Sequence, residues 1–553
     1  MNPPGPADAA RPWTPHDLRL LAVAVLGALV LFTYGLGEGA LWDQDEPRYF
    51  QIAREVRFDD PWTLRLDGAP WFVHPPLFFW LQALTARLIG FTEVAARLWS
   101  ALSGVALVAA TFLLARFLYY GRGSSIALLA AAVAATSLQV LGQARLGVFD
   151  PTLVAFMMLS LYMALEADRT GSRRAYLWAW GWAGLATATK GPIGLALPAM
   201  LIVGLWLLRR DGQAWRRVPW AGLAIYAAVG LSWYVVGMVR YGLPFLRTAV
   251  GYYLFNRFFG VVENQPGPWW YYAPVLVLGA MPWTAFVPLV IVGLLRRRHE
   301  MASQVILLWC GLVVAFYSAA GTKLPNYILP VYPVLAIGIA RLLQDLLDDP
   351  AVALRSPGRW AAALLPLPSI LFALAVVSYG RIKYPDQASA LAGPVALVAG
   401  VLAGGPLVAW GFLLYRRLRA MVAALILTPV LALPILVHHT LPAMDAFRPT
   451  RRIGLALAAH ARPDDLVAVV RLPLAASLRF YSDHAVRWVE GRDDLIEALC
   501  AAPRAFVVTP DSERAWVRPL LPGGAVELVA DAGVRVYRAD RPASCARAPT
   551  LPR

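Results

Sequence analysis

The segment Asp45-Glu46-Pro47-Arg48-Tyr49 is the first place where this chain could do chemistry. A carboxylate at Asp45 or Glu46 could take a proton from an acceptor hydroxyl, orient an acceptor phosphate or hold a cationic sugar, with Arg48 neutralising its neighbour. Asp150, between Phe149 and Pro151, reads as the N-terminal cap of an apolar helix and as a second acid at the same boundary. Lys190 in Thr189-Lys190-Gly191-Pro192 sits between two apolar runs too close together for a true loop. A cation beside the start of a new helix is a natural phosphate site, and Lys323, in Gly321-Thr322-Lys323-Leu324-Pro325-Asn326-Tyr327, repeats that arrangement. Arg257 is a third cation able to face a phosphate leaving group. His74, in His74-Pro75-Pro76-Leu77, reads as an interfacial histidine; as a metal ligand its sole outer partner would be Glu263.

These residues stand in a chain of 553 residues that is 59% hydrophobic and 15% charged, with mean hydropathy +0.56. Soluble domains carry about 25% charged residues, so lipid must solvate most of this one. Runs long enough to span a bilayer recur near 18–37, 94–115, 124–142, 146–166, 175–189, 191–208, 219–238, 271–295, 303–320, 326–344, 360–380, 394–415 and 420–440, about 13 helices in all. The first lacks a small-residue cleavage site and reads as a signal anchor. With a cytoplasmic amino terminus, the arginine clusters 116/122, 168–174, 209–217, 296–298 and 416–419 lie inside. Asp45, Asp150, Lys190, Arg257, Glu263 and Lys323 then share the outer face, where ionisable groups next to lipid are functional by default. The net charge of +16 is spread between spans as topology signals and forms no arm suited to nucleic acid.

Two outer loops, about 38–93 and 239–270, are rich in aromatic residues of the kind that sit at headgroup depth. Within the first, 48–58 has amphipathic spacing and 74–89 could lie as an interfacial helix. After residue 440, short apolar runs at 466–470, 486–489, 505–509 and 525–529 alternate with helical stretches near 450–461, 492–501 and 510–519. The expected architecture is a polytopic α-helical membrane domain over 1–440, followed by a small extracytoplasmic α/β domain over 441–553. Cys500 and Cys545 could pair if that tail is extracytoplasmic; with Cys310 they give no metal spacing.

Taken in this order, the motifs resemble the GT-C class of polyprenyl-phosphate-sugar-dependent glycosyltransferases. Within that class they are similar to the protein-mannosyltransferase superfamily branch containing the aminoarabinose transferases of lipid A. The matching pieces are Asp45-Glu46-Pro47-Arg48-Tyr49, His74-Pro75-Pro76-Leu77, Asp150, Thr189-Lys190-Gly191-Pro192, Pro268-Trp269-Trp270-Tyr271-Tyr272 and Lys323-Leu324-Pro325-Asn326-Tyr327. The resemblance implies an inverting transferase that takes a sugar from a lipid phosphate at the periplasmic face of the bacterial inner membrane. It makes Asp45 the principal catalytic acid with Glu46 and Arg48 beside it, Asp150 the second acid, and Lys190, Lys323 and Tyr327 lining for the phosphate and lipid.

The chain departs from that branch in having Val73-His74 before the two prolines, where Glu-Lys is usual, and Glu263-Asn264-Gln265 where the second loop usually carries a histidine. A Glu/His pair for a divalent metal is therefore missing, as is a lysine associated with aminoarabinose transfer to lipid A. The same chemistry with mannose, galacturonate, glucose or a hexosamine, delivered to a glycolipid, O-antigen or protein, stays open. A transporter of lipid-linked sugar would show internal repeats and helices broken at midplane, and the sequence has neither signature.

Overall fold

The computed structural model describes residues 12–41, 45–120, 123–349, 364–383, 385–447, 449–472, 475–484, 486–543 and 545. Helix occupies part of every one of the 13 expected spans. Among the described residues, seven helices are long and apolar enough to cross a membrane: Pro15–Thr33, Glu93–Leu118, Asp150–Thr170, Ala221–Tyr241, Met301–Ala319, Gln387–Leu414 and Leu418–Asp445. Two bent pairs pass the same test together, Gly123–Thr136 with Leu138–Ala144 at 66° and Tyr272–Gly279 with Thr284–Arg296 at 118°; the count is nine if each pair is one broken span and seven if each is a re-entrant loop. The remaining four are apolar but marginal. Ile193–Leu208 and Leu367–Lys383 are short, while Arg173–Lys190 and Val331–Asp348 each carry three charged residues.

The first helix is started by a capping box, in which the Thr14 hydroxyl accepts from the Asp17 N–H and the Asp17 carboxylate accepts from the Thr14 N–H. Within the first loop, Asp45–Arg54 and Leu77–Ile89 are helical, close to the stretches whose spacing is amphipathic. The second loop is mostly helical too, through Leu243–Leu246, Arg247–Asn256 and Arg257–Phe259.

Beyond Thr450 the chain builds a five-stranded sheet in the order Val486–Val489, Leu466–Val470, Arg504–Pro510, Val534–Asp540, Val526–Asp531. The first three strands are parallel and the last two pair antiparallel. The central runs Leu466–Val470 and Arg504–Pro510 are almost wholly buried, because helices cover both faces of a parallel sheet. Val534–Asp540 is absent from the sequence expectation because its arginines dilute the apolar signal. A hairpin fixes it to the preceding strand through Ala532 and Gly533, both at positive φ (45° and 77°), the backbone that a two-residue turn of this kind requires. Cys500 and Cys545 form a disulfide across 45 residues.

This unit rests on the loop between the first two spans. Arg54 pairs with Asp483, Arg451 with Glu93 at 3.2 Å, and the Tyr481 hydroxyl accepts from the Leu41 N–H at 2.9 Å. Phe480 packs on Phe50 with ring centroids 5.4 Å apart.

Candidate active site

The helix Asp45–Arg54 sorts its own residues by face. Positions 45, 48 and 51 are three apart, so Asp45, Arg48 and Gln51 line one side and border a cavity of about 790 Å³. Glu46 lies roughly 100° around the helix and points the other way, into packing. It is 2% exposed and receives the Arg97 Nε at 3.0 Å and the Gly147 N–H at 2.6 Å. Arg97 also donates to the carbonyls of Leu36, Glu38, Gly39 and Ala40, so this pair ties the end of the first span to the second and to the turn before Asp150. Two expectations change. The cation that neutralises Glu46 is Arg97 rather than Arg48, and Glu46 is a positioning residue outside the cavity.

Asp150 opens the helix Asp150–Thr170, and Lys190 closes Arg173–Lys190, where Gly191 at φ +96° stops the helix. The two ends meet: Lys190 Nζ donates to Asp150 Oδ1 at 2.6 Å, and Asn326 Nδ2 donates to Asp150 Oδ2 at 2.9 Å. Lys190 Nζ also lies 4.9 Å from the Phe149 ring centroid and 5.1 Å from that of Tyr327. Arg257 donates from Nε to the Tyr327 hydroxyl at 2.6 Å and from Nη2 to Glu263 at 3.2 Å. Among the described residues Arg48 makes no ion pair, whereas Lys190 and Arg257 are each partnered.

All of Asp45, Arg48, His74, Asp150, Lys190, Arg257, Glu263 and Tyr327 line the same cavity. Asp45 is exposed at the cavity wall, yet the surrounding walls strip part of its solvation. That desolvation pushes its carboxyl pKa above the ordinary 3.8; Asp150 and Glu263 add to the rise, and Arg48 and Lys190 oppose it. His74 is enclosed by the rings of Tyr49, Trp71, Phe149 and Tyr253. Burial first, then the cations Lys190, Arg257 and Arg48, hold its pKa well below 6.5 and keep the imidazole neutral. His74 and Glu263 have no third partner for a metal: the described residues contain no cluster of three or more His, Cys, Asp or Glu side chains.

Lys323 is a third changed expectation. Its Nζ turns away from the cavity and donates to the carbonyls of Ser318 at 2.8 Å and Ala320 at 2.6 Å, at the end of the helix Met301–Ala319. It satisfies helix-terminal acceptors, as a basic residue after a helix often does. Sequence reasoning also missed the contribution of the C-terminal unit, which brings Arg479 and Trp488 to the cavity from more than 400 residues after Asp45.

Residues 73–235 match the family described as dolichyl-phosphate-mannose-protein mannosyltransferase. A Pseudomonas paraeruginosa protein named undecaprenyl phosphate-alpha-4-amino-4-deoxy-L-arabinose arabinosyl transferase is 30% identical over 422 residues, covering 73% of this chain and 74% of its own. The chain belongs to the aminoarabinose transferase family. It is a glycosyltransferase of the GT-C class and a multi-pass membrane protein. A family member of the same name from Pectobacterium carotovorum is 32% identical over 346 residues, 60% of each chain. The fold agrees with that of the aminoarabinose transferase ArnT from Cupriavidus metallidurans, solved bound to undecaprenyl phosphate. The TM-score is 0.77 at 23% identity, over 95% of this chain and 98% of that one.

For this family member, Lys323→Met should lower the unfolding temperature while the folded fraction keeps its turnover. Leaving buried carbonyls without a donor costs about 1–3 kcal/mol. A thermal melt paired with a transferase assay checks it; unchanged melting with lost turnover would return Lys323 to the site.

Proposed function

We propose that the protein is an inner-membrane transferase that moves 4-amino-4-deoxy-L-arabinose from undecaprenyl phosphate to lipid A at the periplasmic face. The observation that carries this reading is the gathering of Asp45, Asp150, Lys190 and Arg257 around one cavity. Relatives carrying the aminoarabinose transferase name support the donor. In the reaction an acceptor oxygen bonds to the anomeric carbon, the bond from that carbon to the carrier phosphate breaks, and its electron pair leaves on the phosphate. Lys190, Arg257 and Arg48 face the charge that develops there. If the acceptor is a hydroxyl, Asp45 takes its proton; if it is already an anionic phosphate, Asp45 positions it. Asp150, held by Lys190 and Asn326, fixes the lysine at the cavity wall.

The experiment is mass spectrometry of lipid A from cells with and without the gene. Loss of the aminoarabinose adduct supports the reading, and an unchanged lipid A beside another glycan that lacks a sugar refutes it. The second outcome is the one that Val73-His74, with no lysine before the prolines, would favour.

Lys190→Ala should weaken binding of undecaprenyl phosphate about ten- to hundredfold, the worth of one charge-assisted hydrogen bond. An equilibrium titration of the purified protein measures it, and an unaltered affinity removes the phosphate role.

A further inference from the structure

The end of the cavity reached by the C-terminal unit has a chemistry unlike the rest. Trp488 lies on an edge strand, is 51% exposed and lines the cavity. Arg479 lines it as well, but its charge is committed: it pairs with Glu55 at 3.0 Å and with Asp67. The same Glu55 oxygen accepts from Gln51 Nε2 at 3.0 Å. The other amide atom of Gln51, its Oε1, is buried without a hydrogen-bond partner although the residue borders the cavity. A buried acceptor left unmade costs free energy, so one at a cavity wall points to a ligand donor. This wall therefore offers an aromatic face and a hydrogen-bond acceptor, while the cation the tail brings, Arg479, is already paired; Arg48 stands one helical turn from Gln51. That combination suits a hydroxylated sugar ring: C–H groups pack on the indole while a hydroxyl donates to Gln51.

We propose that Gln51, tied through Glu55 to Arg479, forms with Trp488 a subsite for a sugar ring of the acceptor headgroup. The C-terminal unit would then be a wall of the active site. The proposal rests on the reading of the cavity as a transferase site with Asp45 on its other flank.

The test uses the full-length protein in lipid nanodiscs, with lipid A as acceptor and the undecaprenyl-phosphate-linked aminoarabinose as donor. Trp488→Ala should raise the KM for lipid A about tenfold, the scale of one aromatic contact, with kcat and undecaprenyl phosphate affinity unchanged. Trp488→Phe should restore most of that loss, and Gln51→Leu should raise the same KM. An unchanged KM in Trp488→Ala, or an equal loss of donor affinity, overturns the subsite. Equilibrium binding of lipid A without donor separates the two readings. Wild-type protein that binds lipid A through Trp488 yet transfers nothing sinks the proposed function alone, and protein that neither binds nor transfers sinks both.

Discussion

Asp45→Asn is expected to lower kcat by two to four orders of magnitude, the range covered by a positioned general base. The folded protein should be no less stable than the parent. Asp45 is desolvated, so its pKa is higher folded than unfolded, and the folded state binds the extra proton. By linkage this group's contribution to stability is lost as pH rises through the interval above 3.8. Asparagine, which never ionises, avoids that cost. The same direction sets the pH profile: activity that needs the carboxylate should fall on acidification at a pH above 3.8, and the acid limb should vanish in the residual activity of Asp45→Asn. Turnover within a few-fold of the parent, with the limb intact, would remove Asp45 from the chemistry.

Glu46→Gln, one residue away, should fail in a different manner. Arg97 is 4% exposed, and removing its partner's charge leaves a buried guanidinium unbalanced. Breaking such a pair from one side costs about 3–5 kcal/mol. The expected result is a lower unfolding temperature and poor yield, with kcat preserved in whatever protein folds. Arg97→Met should act alike, and the double variant Glu46→Gln with Arg97→Met should be less damaged than the sum of the two singles, because it leaves no unpaired charge. Denaturation midpoints of the three variants measure the coupling. A Glu46→Gln protein that melts like the parent but has lost kcat would reinstate the residue as catalytic.

Asp45 and Glu46 mark where sequence reasoning loses resolution. Both stand in one motif, and only the helical register of Asp45–Arg54 sends one into water and the other into packing. Asp150 and Lys190 are easier to place, since polar residues at the ends of apolar runs belong at a membrane boundary, and the two helix ends meet there. Lys190 and Lys323 look equivalent in their motifs, but the helix before Lys323 ends at Ala319, which leaves carbonyls within its reach. Arg97 gave no signal: it sits in the second turn of an apolar helix, and its partner is 51 residues earlier. Strand-like runs of the tail were visible from their apolar patterning, whereas its contact with the cavity depends on chain path and left no local trace.

Trp488 and Arg479 complete a compartment that Asp45 begins more than 430 residues earlier. During synthesis, the early spans enter the bilayer and present their acids and lysine long before that last wall exists. The finished chamber can form only after the tail has been made, carried to the same side and folded against the first loop. A lipid-linked sugar thus meets the whole lining of the cavity only in the completed molecule.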